Sequence, residues 1–241
     1  MNWSDEGIVL SVRNHGETSA ILELLTQSHG RHLGLVHGGR SRRLRPVLQP
    51  GNTVAADWRA RLADHLGVYK VELLEAHASL AMQNKRALAG LTSMCAMAQL
   101  LPEHDVQTGL FLAQKLILEH LDDEEIWVKL LILWELELLS ELGYRLDLAQ
   151  CAATGATDEL IYVSPKSGSA VCREAGQPYG DRLLNLPAFL HEEVRSEITS
   201  GDIMDGLHLT QFFLEKRIYE PQGLKLPEAR LRLVSYLSQQ H

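Results

Sequence analysis

No apolar run in this chain approaches the ~18 residues that a membrane-spanning helix requires. The most apolar stretch, Leu130 to Trp134, is bracketed by Lys129 and Glu135 and reads as a buried helix. The opening residues Met1-Asn2-Trp3-Ser4-Asp5-Glu6 carry acids where a secretion signal carries Lys or Arg, and no apolar core follows them. Cysteine is scarce. Cys95, Cys151 and Cys172 leave one thiol over in any disulfide framework, and a reducing compartment suits them. Glycine and proline, 18 and 8 of 241 residues, are too few for a low-complexity chain. What remains is 45% hydrophobic and 22% charged, enough to bury a core in one or two domains. A soluble, cytoplasmic protein is expected.

Signatures of chemistry are also missing. There is no Walker loop, dinucleotide fingerprint, nucleophile elbow, His-Glu-x-x-His or zinc-deaminase pattern, so no enzymatic activity and no cofactor is expected. Asp122 to Glu125 supplies four consecutive acids, but without a His or further acid at ligand spacing they read as the N-terminal cap of a helix. Cys151 and Cys172 would each begin a Cys-x-x-Cys knuckle. The residues three further on are Thr154 and Ala175, so two thiolates stand where structural zinc takes four N or S ligands.

The net charge of −8 argues against a polyanionic partner until its distribution is read. Up to Ala78 there are nine Lys or Arg against eight Asp or Glu, and the remainder holds 14 against 23. His29 to Arg45 contains Arg31, Arg40, Arg42, Arg43, Arg45 and three histidines, with no acid over seventeen residues.

Apolar residues from Val9 to Val36 fall in short runs separated by turn formers at Asn14-His15-Gly16 and Ser28-His29-Gly30, which predicts three consecutive antiparallel strands. A polar, basic connection from Gly38 to Gly51 follows, then strand-like Thr53–Ala60 and Val68–Leu74. Five short strands with a longer third connection predict a small closed barrel of the oligonucleotide-binding kind, with an SH3-like barrel as the alternative. Beyond Ala78, Leu80–Leu101, Val106–Leu121 and Asp123–Leu142 have helical length and spacing. Residues 144–179 break the periodicity as a small irregular module with one strand at Leu160–Val163. Three helices follow, from Pro187 to about Ser200, Met204 to Tyr219 and Pro227 to Ser238. The expected plan is a β barrel over 1–78 and a helical domain over 79–241 that contains the degenerate module.

Within that plan Arg40, Arg42, Arg43 and Arg45, with Arg31 as a weaker candidate, are the expected phosphate contacts on a mobile barrel connection. Guanidinium groups fork onto phosphate oxygens and release condensed cations without reading sequence. Aromatics are few there. Trp3, Trp58 and Tyr69 offer little stacking surface, and Trp58 reads equally as core; His29, His32 and His37 are further candidates for stacking or partial charge.

Gly7-Ile-Val-Leu-Ser-Val-Arg13, Glu17 leading into Leu22-Glu-Leu-Leu-Thr26, Gly30, and Gly34-Leu-Val-His-Gly-Gly-Arg40 together resemble the amino-terminal barrel of the RecO family of bacterial recombination mediators. A second match runs through Trp134-Glu-Leu-Glu-Leu-Leu-Ser-Glu-Leu-Gly-Tyr144, Asp147, Leu148, Cys151 and Tyr162-Val-Ser-Pro-Lys-Ser-Gly-Ser-Ala-Val-Cys172. The resemblance implies a nonenzymatic protein of DNA repair and recombination in the RecF pathway. Such a protein binds single- and double-stranded DNA, anneals complementary strands and, with RecR, assists RecA loading onto DNA coated by single-strand-binding protein. It also implies a grip on the acidic tail of single-strand-binding protein, at residues this sequence does not reveal. Family members with a zinc module carry two full knuckles, and the departures at Thr154 and Ala175 imply none here. The rival readings are a protein-interaction adaptor that does not bind DNA, and a metal-dependent nuclease.

Overall fold

A computed structural model describes residues 1–62, 65–191 and 198–239. Five strands open the chain: β1 Asn2–His15, β2 Ser19–Thr26, β3 Gly30–Val36, β4 Thr53–Arg59 and β5 Val68–Glu75. They close into a barrel in the order β1-β2-β3-β5-β4. Closure depends on β1, which is longer than the sequence suggests. Its first half pairs with β4, from Asn2↔Arg59 to Ile8↔Thr53, and its second half with β2, from Gly7↔Thr26 to His15↔Ser19. A bulge between Val9 and Ser11 lets one strand serve two neighbours, because an extra residue bends the strand and sharpens its twist. The seam between β3 and β5, Leu35↔Val68, is parallel where the other strand pairings of the barrel are antiparallel.

Alternation fills the barrel. Val9, Ala20, Leu22, Leu24, Val36, Val54, Ala56, Trp58, Tyr69 and Val71 form one buried cluster. Its two large rings demand glycines: a Cβ on Gly34 would stand 2.3 Å from the Tyr69 ring, and one on Gly67 2.4 Å from the Trp58 indole. Trp58 is thus core, and its reading as a stacking face for bases is corrected.

The helices are α1 His77–Ala81, α2 Lys85–Ala98, α3 Thr108–Glu119, α4 Glu124–Glu141, α5 Arg173–Gly176, α6 Ser200–Phe213 and α7 Glu228–Ser238. Where the periodicity predicts one helix over Leu80–Leu101, the chain makes two. Asn84 turns extended and its side chain accepts the N–H groups of Arg86 and Ala87, starting α2 afresh. The acids at 122–125 act in part as a cap: the Asp123 carboxylate accepts the Ile126 N–H, and Glu124 pairs with Arg86 at 2.7 Å. The module predicted over 144–179 holds more sheet than expected. β6 Leu160–Val163 pairs with β7 Ala170–Cys172 and with β8 Leu184–Asn185. The helix predicted from Pro187 to Ser200 lies partly outside the described residues; its described start is a 3₁₀ turn, Ala188–Leu190. α6 begins instead at a capping box made by Thr199 and Asp202, and it passes after Phe213 into a wider turn, Leu214–Tyr219.

The change from strand to helix falls near Ala78, but the compact units divide elsewhere. Residues 1–127 with 227–233 form one, and 128–226 with 234–241 the other. In the first unit the barrel carries helices against it, through the Cys95 thiol on the Val9 carbonyl at 3.6 Å and Lys115 on Glu6 at 2.7 Å.

Candidate nucleic-acid interface

The connection between β3 and β4 is a sequence of turns anchored at both ends. Backbone bonds Arg45 N–H to Ser41 and Leu48 N–H to Leu44, each 3.0 Å, give it helical pitch over 41–48. Leu44, Val47 and Leu48 recur on one side of that pitch and pack onto the barrel core. Arg42, Arg43 and Arg45 are left facing solvent. The expected mobile connection is therefore an ordered one. Burying its leucines and valine stabilises the loop by roughly 2 kcal/mol per side chain, against the entropy of ordering it.

Asn52, which sequence reasoning did not single out, fixes the far end. It is 1% exposed; its Nδ2 donates to the carbonyls of Pro46 at 2.8 Å and Val47 at 3.2 Å, and its Oδ1 accepts the Ala78 N–H at 3.0 Å. One amide thus ties the loop to the start of α1. The only signal in the sequence is an Asn after Pro50-Gly51, a pattern shared by many ordinary turns.

Arg40 secures the near end. Its Nη1 donates to the carbonyls of Gly16 at 2.9 Å and Glu17 at 2.8 Å in the β1–β2 turn, which leaves three of its five N–H groups for an anion. Among the described residues no carboxylate pairs with Arg40, Arg42, Arg43 or Arg45, and all four are exposed. The acid nearest in connection is the exposed Glu17.

Arg31 belongs elsewhere. Its guanidinium is clasped by Glu23 and lies 3.5 Å from Glu103, while its Nε donates to the Leu101 carbonyl at 2.6 Å. With its side chain 15% exposed and both carboxylates at hand, its charge is spent within the fold, and it drops out of the phosphate-binding set.

The histidines part company in the same way. His32 is 5% exposed in the barrel, against Trp58, Tyr69 and His104. Burial first, and the charge of His104 second, push its pKa down to about 4, so it is neutral at physiological pH. His29 stacks on Trp3 at 4.1 Å and meets Asp5 at 2.8 Å. Of the three, His37 alone is exposed beside the basic loop.

The half-knuckle was tested against the zinc that the resemblance associates with it. The Cys172 N–H donates to the Cys151 sulfur at 3.2 Å, and the Thr154 hydroxyl lies 3.6 Å from the Cys172 sulfur. Burial raises the Cys151 thiol, but hydrogen bonds from Cys172, Thr154 and Ala153 outweigh it and hold the pKa at about 6. Two sulfurs and a hydroxyl do not make the four-ligand set of a structural zinc. Among the described residues no three His, Cys, Asp or Glu side chains converge as a metal site.

The model for the N-terminal part of recombination protein O matches residues 1–77, and that for its C-terminal part matches residues 82–226. The chain is 49% identical over 241 residues to the DNA repair protein RecO of Mesorhizobium japonicum, covering 100% of this chain and 95% of that one. It is 52% identical over 235 residues to the RecO of Xanthobacter autotrophicus, covering 98% and 96%. With the RecO of Methylorubrum extorquens strain PA1 it shares 50% over 242 residues, covering 98% of each.

Proposed function

The chain belongs to the RecO family of DNA repair proteins, and from that premise we propose that it binds single- and double-stranded DNA through the β3–β4 loop of an oligonucleotide-binding barrel and anneals complementary strands. With RecR, it then assists RecA loading onto DNA coated by single-strand-binding protein. No covalent step is involved and neither metal nor cofactor is needed.

One observation carries the reading. Arg40, Arg42, Arg43 and Arg45 stand exposed on an ordered loop with no carboxylate paired to them among the described residues, while Arg31 is already neutralised. Several guanidiniums carried on a short, ordered stretch of backbone attract a polyanion without the cost of ordering the loop, which is already held by Leu48 and Asn52. Neutralising phosphates on two complementary strands lowers their mutual repulsion, which accelerates annealing without nucleotide hydrolysis. The strand order and the parallel seam suit the oligonucleotide-binding fold.

The test is the full chain carrying Arg40→Ala, Arg42→Ala, Arg43→Ala and Arg45→Ala together. Its circular dichroism should match wild type while DNA affinity falls steeply at physiological salt and annealing slows with it. Wild-type annealing in a folded quadruple variant would move the site away from this loop.

A further inference from the structure

The turn that follows Cys151 surrounds its sulfur with donors. That sulfur accepts the Cys172 N–H at 3.2 Å, the Thr154 hydroxyl, and the backbone N–H groups of Ala153 and Thr154. The same hydroxyl lies 3.6 Å from the Cys172 sulfur, so the two sulfurs flank one oxygen. With its own proton given to Cys151, that oxygen accepts from the Cys172 thiol. The turn is laid directly on β7, where the Ala152 N–H donates to the Ala170 carbonyl at 2.9 Å. Segments bonded in this way run about 5 Å apart, within the roughly 4.4–6.8 Å between Cα atoms that a disulfide spans.

Donors arranged around a sulfur favour its negative form. Burial opposes the charge on Cys151, and the donors together outweigh burial, so the thiolate predominates at neutral pH. Both sulfurs are free thiols, and the turn over Cys151 is exposed from Ala152 to Gly155. Cys95 is built differently. Its sulfur meets the Val9 carbonyl at 3.6 Å, an acceptor that does nothing for a thiolate, and burial pushes it up to about 12.

We propose that Cys151 and Cys172 are a reversible thiol–disulfide pair, oxidised by small hydroperoxides and reset by a dithiol, which staples the 151–156 turn to β7. The Cys151 thiolate attacks the peroxide: an S–O bond forms, the O–O bond breaks, and the departing alkoxide or hydroxide takes a proton from water. Sulfur loses two electrons and the peroxide gains them. The Cys172 thiol then attacks the Cys151 sulfenic acid: the S–S bond forms, the S–O bond breaks, and the thiol proton leaves with the hydroxyl as water. The Thr154 hydroxyl stands between the two sulfurs to carry that proton. A dithiol reverses the link by two exchange steps and ends as its own disulfide. None of the loop arginines takes part, so the pair stands apart from the DNA-binding reading.

The test is a peptide map of the full wild-type chain and needs no variant. Reduced protein is treated with hydrogen peroxide at pH 7, remaining thiols are alkylated, and trypsin is added without reductant. Cleavage after Arg145, Lys166 and Arg173 separates residues 146–166 from 167–173, so a disulfide is what holds those two peptides together. The linked pair should appear two hydrogens lighter than the sum of its parts, with Cys95 alkylated throughout, and dithiothreitol should restore both thiols. Cys172→Ser should stop at the sulfenic acid on Cys151, captured by dimedone. Thr154→Val should slow formation of the link severalfold and move the pH midpoint of the Cys151 reaction upward, because a donor to the thiolate is gone; an unchanged rate and midpoint overturn the part given to Thr154. Peroxide that leaves both thiols free, carries Cys151 to the sulfinic acid without a link, or oxidises Cys95 as fast overturns the pair.

Discussion

Arg31 reaches diagonally from β3 to Glu23 on β2 and closes an ion pair on the outside of the barrel, with Glu23 only 5% exposed. Removing one partner of a buried pair strands the other. Arg31→Ala should destabilise the protein by about 3 kcal/mol in chemical denaturation, while the salt dependence of DNA affinity is unchanged at temperatures where the variant is folded. A stable variant with a shallower salt dependence would return Arg31 to the DNA surface.

Asn52 tests whether loop order matters as well as loop charge. Asn52→Ala removes the bonds to Pro46, Val47 and Ala78 and leaves every arginine in place. It should cost about 2 kcal/mol of stability and weaken DNA binding severalfold, with the salt slope kept. A slope that falls along with affinity would mean that charge, not positioning, had been lost.

His32 makes stability depend on pH. Its folded pKa of about 4 lies below the unfolded value of 6.5, so the unfolded chain takes up the proton first as pH falls. The contribution is fully present above about pH 6.5 and is lost progressively down to about pH 4, amounting to about 2 kcal/mol after solvent screening. Thermal melts of His32→Phe should decline less than wild type across that window. Parallel decline would place the acid sensitivity at other groups.

The two kinds of thiol should separate under alkylation. Burial pushes Cys95 up to about 12, whereas hydrogen bonds hold Cys151 at about 6 beneath the exposed residues Ala152 to Gly155. Iodoacetamide at neutral pH followed by peptide mass mapping should label Cys151 well before Cys95. A chelator should leave the melting temperature unchanged; a fall would show that the two thiols recruit a metal after all.

How much of this was legible depended on the kind of signal. The strands announced themselves because one face of each is core, so Ala20, Leu22 and Leu24 alternate with Ser19, Ile21 and Glu23. The break at Asn84 did not, because apolar spacing runs on through Leu80 and Leu88 while a single amide decides where the helix restarts. The basic loop was readable as charge. That Leu44, Val47 and Leu48 would order it depends on a core assembled from other strands. Arg31 looked like its neighbours because its carboxylates come from Glu23 and Glu103, eight and 72 residues away in sequence.

The most direct measurement is the salt dependence of single-stranded DNA affinity for the full wild-type chain and the Arg40, Arg42, Arg43, Arg45 quadruple alanine variant. Four phosphate contacts from the loop predict that the wild-type slope of log affinity against log salt is steeper than the variant's by roughly 3. Equal slopes in two folded proteins would contradict the account.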